Sequence, residues 1–75
     1  MIGTNISILR KRDKLSQEAL AEKIGVSRQM IAKWENNESI PDVMHSSVMA
    51  ELFEVTLDDL VNSDMSDDGP GTPVN

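Results

Sequence analysis

The run SQEALAEKIGVSRQMIAKWEN, from Ser16 to Asn36, constrains the fold more than any other part of this chain. Ser16 carries a short hydroxyl that can accept from the free backbone N–H groups of a helix start, and Leu20, Ala21 and Ile24 then fall at i, i+1 and i+4 on one stripe. Gly25 ends that helix, because it enters the left-handed backbone region without Cβ strain. Ser27 repeats the cap, and Ile31 and Trp34, at i and i+3, give the next helix an inner face. The small Ala21 lets the two helices cross closely, and Val26 plugs the angle between them. The spacing predicts a helix over 17–24, a three-residue turn, and a helix from Arg28 to about Asn36 or Asn37. With Ile31 and Trp34 committed inward, Arg28, Gln29, Ala32, Lys33 and Asn36 share the opposite face. Donors and one small residue on a single exposed stripe suit a DNA major groove.

The helical period continues through the rest of the chain, without extended alternation. A first helix is expected from about Thr4 or Asn5 to Lys14, with Ile2, Ile6 and Leu9 inward. Its last turns hold Arg10, Lys11, Arg12 and Lys14, where cations complement the helix dipole. Pro41 and Asp42 open a fourth helix that reaches Phe53, with Val43, Met49, Ala50 and Phe53 inside and Ser46 anomalously on the same stripe. Thr56 with Asp59 makes a Thr-x-x-Asp variant of the capping box, and Leu57, Leu60 and Val61 of the short fifth helix close the core. From Asn62 the sequence NSDMSDDGPGTPVN has only Met65 and Val74 as apolar residues, too little to offset its ordering entropy. The expected organisation is one all-α domain over 1–61, five short helices joined by tight turns, and a disordered acidic tail or linker over 62–75.

Composition removes several classes. Without cysteine there is no disulfide and no thiolate zinc site, and the single His45, with no His or Cys partner, reads as solvent-facing rather than a metal ligand. The longest apolar runs are too short to span a bilayer and no signal-like stretch precedes Arg10, so the expectation is a cytoplasmic chain without membrane contact. The carboxylate pairs Asp58-Asp59 and Asp67-Asp68 lack a pocket that raises a pKa, no Gly-rich phosphate loop occurs, and no cofactor or enzymatic activity is expected. The net charge of −6 argues against a nucleic-acid partner until it is divided by position. All seven bases lie between Arg10 and Lys33; residues 1–40 balance at +2 with five acids, while residues 41–75 hold eight acids and no Lys or Arg. Trp34 is read as core, not as a base-stacking residue.

The segment LSQEALAEKIGVSRQMIAKWENNESIPD and the later FEVTLDDL resemble the phage-repressor helix-turn-helix domains of the Cro/cI type, also called XRE-type, over about Asn5 to Val61. The resemblance implies a compact five-helix lambda-repressor-like bundle with the helix-turn-helix in helices 2 and 3. It implies base reading by Ser27, Arg28, Gln29 and Lys33, with phosphate contacts from Ser16 and Gln17 at the start of helix 2. Physical chemistry agrees: Arg pairs bidentately with guanine, Gln with adenine, and a helix N-terminus presents free N–H groups to phosphate. Asn36 and Asn37 are further phosphate candidates. Arg10 and Glu35 match a charged pair that ties helix 1 to the end of helix 3 in relatives.

The implied function is a sequence-specific DNA-binding transcriptional regulator, a repressor that binds a palindromic operator as a homodimer. Phe53, Leu57, Leu60 and Val61 form the candidate pairing surface; the chain reads equally as a small stand-alone protein or as an excised N-terminal domain, in which case a missing C-terminal domain would supply oligomerisation or sensing. Two departures stand out. The loop Asn36-Asn37-Glu38-Ser39-Ile40 has no base where many relatives grip phosphate, so few ion contacts and modest affinity are expected. Ser46 and Ser47 stand where relatives carry bulky aliphatics, so either the core is underpacked there or Met44, Val48 and Met49 fill the gap; stability is expected at the low end for a small domain. An alternative is an antitoxin-like or adaptor protein that uses its acidic half to bind a basic protein partner.

Overall fold

The computed structural model describes residues 1–65. It is all-helical among them: α1 Ile2–Arg12, α2 Gln17–Ile24, α3 Arg28–Glu35, α4 Val43–Phe53 and α5 Leu57–Asn62. The expected tail over 66–75 lies outside the described residues. No described helix is long and apolar enough to cross a membrane.

Four of the five starts are fixed by the residues that local chemistry selects. Ser16 Oγ accepts from the backbone N–H of Ala19 at 3.0 Å, Ser27 Oγ from Met30 at 3.1 Å, Asp42 Oδ1 from His45 at 2.8 Å and Thr56 Oγ1 from Asp59 at 2.9 Å. Each bond satisfies one of the donors that a helix start leaves unpaired. Gly25 ends α2 at φ +80°, and the N–H groups of Gly25 and Val26 both reach the Ala21 carbonyl.

The first helix starts and stops earlier than its sequence pattern suggests, at Ile2 instead of Thr4 or Asn5, and at Arg12 instead of Lys14. Gly3 explains the early start: a Cβ there would lie 2.1 Å from the Trp34 carbonyl oxygen, so only glycine lets the first turn of α1 lie against the end of α3. Lys14 explains the early stop, because it takes φ +60° and releases the chain. Asn37 and Glu54 do the same after α3 and α4, at φ +60° and +62°. In all three cases the next N–H reaches back to a carbonyl five residues earlier: Leu15 to Arg10, Glu38 to Lys33 and Val55 to Ala50.

The core gathers Ile6, Leu9, Leu20, Ala21, Ile31, Trp34, Met49, Ala50, Phe53 and Leu60 from all five helices. Three residues expected inside lie outside. Val43 is 73% exposed because it occupies the first position of α4, ahead of the turn that meets the core. Leu57 and Val61 are more than one-third exposed, and Leu60 alone closes the core from α5. Of the residues that could compensate for Ser46, Met49 is fully buried while Met44 and Val48 face solvent.

Contacts with the helical body run beyond the expected boundary at Val61. Asn5, fully buried on α1, donates through Nδ2 to the Leu60 carbonyl at 2.8 Å and the Ser63 carbonyl at 2.6 Å, and its Oδ1 accepts from the Met65 N–H at 3.1 Å. One amide thus satisfies carbonyls that the end of α5 leaves free and turns residues 62–65 back over α1, where Met65 packs on the core.

Candidate nucleic-acid interface

The outer face of α3 is set by what its inner face does. Ile31 is fully buried and Trp34 nearly so, which fixes the helix rotation and leaves Arg28, Gln29, Lys33 and Asn36 exposed on the far side, with Ala32 half-buried between them. Arg28, Lys33, Lys11, Lys14 and Lys23 have no carboxylate partner among the described residues, so their charges are free for an anionic ligand. Ser27, expected to read bases, is first a cap: its Oγ accepts from Met30, and only its O–H remains to donate outward. Ser16 is likewise the cap of α2.

Beneath this face lies a three-residue polar cluster. Arg10 Nε donates to Glu35 Oε2 at 2.6 Å and its Nη2 to Oε1 at 3.1 Å, while Nη1 reaches the Leu15 carbonyl at 2.8 Å. The side chains are only 12% and 7% exposed. Glu35 Oε1 accepts a further bond from Gln17 Nε2 at 3.1 Å, so the amide expected to touch phosphate is tethered at one hydrogen and has the second to offer. α1, the start of α2 and the end of α3 meet on this one carboxylate. Gln17 enters that network unannounced by spacing, since nothing in a one-dimensional pattern links positions 17 and 35.

The remaining candidates divide. Asn36 is exposed at the cap of α3, open to a phosphate. Asn37 is also exposed, but its Oδ1 lies against Gly3 of α1, so its amide leans toward the body of the protein. Arg12 is not a free cation: it pairs with Asp13 through Nε at 2.8 Å and donates through Nη2 to the Phe53 carbonyl at 2.7 Å, capping α4. The hydrogen bonds from Arg12 hold the Asp13 carboxyl below its ordinary range. His45 is not simply solvent-facing. Its ring centroid lies 5.5 Å from that of Trp34, and Nδ1 is 3.0 Å from Asp42 Oδ1. The His45 backbone N–H, more than the ring, holds the Asp42 carboxyl low.

The expected pairing surface also needs correction. Phe53 and Leu60 are fully buried, committed to the core by the inward faces of α4 and α5, and cannot meet another molecule without unfolding. Leu57 and Val61 remain on the surface. Among the described residues no cluster of three His, Cys, Asp or Glu side chains is arranged to hold a metal.

Comparison with known proteins agrees with this geometry. The helix-turn-helix family model matches residues 6–60. The chain is 38% identical over 56 residues to the HTH-type transcriptional activator BcrR of Enterococcus faecalis, covering 75% of this chain and 28% of that protein. It is 34% identical over 64 residues to the antitoxin PezA of Streptococcus pneumoniae, covering 85% and 40%. It is 30% identical over 66 residues to repressor protein C2 of Salmonella phage P22, covering 88% and 31%. The chain thus spans well under half the length of these relatives. Among solved structures, the P22 c2 repressor bound to a synthetic operator superposes with a TM-score of 0.80 at 30% identity, covering 85% of this chain and 97% of that one. SinR, a master regulator of biofilm formation, in complex with DNA, superposes with a TM-score of 0.76 at 28% identity, covering 83% and 100%. With five helices in the repressor arrangement and a family match from Ile6 to Leu60, the chain belongs to the helix-turn-helix family of DNA-binding transcription regulators.

Proposed function

We infer that this chain recognises a specific operator sequence by setting α3 in the major groove, and that it acts as a cytoplasmic repressor by occupying that operator as a pair of copies. The observation that carries the reading is the outward stripe of Arg28, Gln29 and Lys33 on a helix whose rotation Ile31 and Trp34 hold fixed. Arg28 donates twice to guanine N7 and O6, Gln29 exchanges two bonds with adenine, and Lys33, one turn on, reaches a base or phosphate. Ser16 and Gln17 at the start of α2 and Asn36 after α3 hold the backbone and set the register. A single domain of this size makes few contacts, and two copies on half-sites about one helical turn apart multiply them. Selection of bound sequences from random duplex DNA, then titration at two salt concentrations, tests this. An enriched inverted repeat is expected; no enrichment overturns it.

A second reading, an antitoxin-like or adaptor module, draws on the base-free half from Pro41 onward and on the similarity to PezA. It requires no sequence preference in the same selection.

A further inference from the structure

The fourth helix is apolar on both sides. Ser46, Met49, Ala50 and Phe53 face the core, yet Met44, Val48 and Leu52 follow one another at i, i+4 and i+8 on the other side, the first 74% exposed, the second 41% and the third half-buried. Side chains four apart form one of the ridges by which helices interdigitate, and this ridge runs about 12 Å along α4 at about 1.5 Å per residue. Leu52 packs at its base against the core, whereas Met44 and Val48 stand clear of it. A solvated helix face ordinarily carries charged groups. Here the row beside the ridge holds the exposed Ser47 and Glu51, also four apart, and Asp42 and Glu54 cap the two ends of the helix. From Asn36 to Met65 the chain has no Lys or Arg. Arg12 reaches the last turn of α4 at the Phe53 carbonyl but is paired with Asp13.

We propose that the ridge of Met44, Val48 and Leu52 receives an amphipathic helix of another protein, whose apolar side chains interdigitate with it and whose flanking Lys or Arg meet Glu51 and the carboxylates at the ends of α4. The inference shares with the adaptor reading only the basic character of the partner, and it holds whether or not α3 reads DNA. Charge complementarity selects the occupant, because an acidic helix, or the α4 of a second copy, would set carboxylates against carboxylates. Methionine suits such a surface, since its unbranched thioether adapts to irregular shapes. Met44 and Val48 expose on the order of 200 Å² together, about a quarter of the roughly 800 Å² per partner in a stable interface, so the contact is weak and transient. Its ion pairs lie at the surface, and salt weakens them.

The test adds to the isotope-labelled protein a helical peptide with Leu at four-residue spacing and Lys on its flanks, and separately the same peptide with Glu in place of every Lys. Amide chemical shifts are expected to move at Met44, Val48 and Glu51 with the Lys peptide, at a Kd of about 10–100 μM, and not with the Glu peptide. Val48→Asp, at an exposed position, is expected to weaken the Lys peptide about tenfold or more, and Met44→Ser gives the same reading should Val48→Asp fail to fold. Glu51→Lys is expected to reverse the choice, so that the Glu peptide binds better than the Lys peptide. Equal binding of the two peptides to the parent overturns the proposal. So does affinity retained in the folded ridge variant, or shifts that fall on Leu57 and Val61 of α5 instead of on the ridge. No DNA is present in these titrations, so a failed operator selection leaves their outcome unchanged and the two failures are told apart.

Discussion

Arg10 of α1 and Glu35 of α3 face each other in a two-pronged hydrogen-bonded pair, nine-tenths enclosed, whose carboxylate also takes the Gln17 amide of α2. Removing one partner leaves a buried charge without its counterion. Arg10→Ala or Glu35→Ala is expected to cost about 3–5 kcal/mol, whereas replacing both with apolar residues of similar volume costs far less. Urea unfolding of the two single variants and the double variant measures the coupling. A coupling near zero removes the pair from the account of stability.

Asn5 is the residue on which the end of α5 depends. Its amide supplies two donors to carbonyls and one acceptor to an N–H, leaving no polar atom over. Asn5→Leu keeps the branched shape, though not the volume, and orphans the Leu60 and Ser63 carbonyls, and a loss of at least about 1–3 kcal/mol is expected. Asn5→Asp does more damage, because an acceptor then confronts two acceptors. Hydrogen exchange at Met65 should rise to the intrinsic rate in both variants; retained protection would show that apolar packing alone holds the segment.

Three helices end on a residue other than glycine in the left-handed region, and two of them, Lys14 and Glu54, carry side chains poorly suited to it. Glycine there loses the Cβ clash but gains freedom in the unfolded chain, and the clash dominates where φ is positive. Glu54→Gly and Lys14→Gly are each expected to stabilise by about 0.5–1 kcal/mol, raising Tm by several degrees in a thermal melt. A lowered Tm in both would mean that unfolded-state entropy wins.

Acid should loosen the start of α4. The His45 backbone N–H bonded to Asp42 holds that carboxyl below its ordinary value. A group whose folded pKa is depressed contributes its stability above the unfolded pKa, about 3.9 for Asp, and that contribution is lost as pH falls through the folded value. Asp13, held low by Arg12, behaves alike. Asp42→Asn keeps an equivalent cap that does not titrate. Its loss of stability between pH 5 and pH 2 should be smaller than that of the parent in urea titrations, and an equal loss would assign the acid sensitivity elsewhere.

The caps at Ser16, Ser27, Asp42 and Thr56 were legible because a cap is local: the donor it serves lies three residues away in sequence. The outer stripe of α3 was legible for a related reason, since Ile31 and Trp34 state which way the helix faces. Asn5 was not, because a polar residue next to Ile6 looks like surface until the end of α5, more than 50 residues later, lies against it. The ends at Lys14, Asn37 and Glu54 carry no glycine to announce them. Periodicity places Phe53 and Leu60 in the core while the resemblance also offers them for pairing, and the fully buried side chains decide for the core.

The salt dependence of DNA binding follows from which cations remain. Arg10 is occupied by Glu35 and Arg12 by Asp13 and the Phe53 carbonyl, leaving Lys11, Lys14, Lys23, Arg28 and Lys33 as free bases among the described residues. With at most five phosphates neutralised by side-chain cations per copy, the slope of log K against log salt should not exceed about 4.5 in magnitude at about 0.9 per neutralised phosphate. Titration on a single half-site at several salt concentrations checks this, and a steeper slope would require a base that the fold has hidden. Within that limit the residues separate by kind of loss. Arg28→Ala and Gln29→Ala should each cost about 1–3 kcal/mol on the preferred site and relax preference at one base position, because the proposed roles of both are bidentate base contacts. Gln17→Ala should weaken every sequence alike, since the proposed role of its second N–H is a contact with the DNA backbone. Equal, sequence-independent losses in all three variants would overturn the assignment of Arg28 and Gln29 as base readers and leave α3 as a surface that only adheres to DNA.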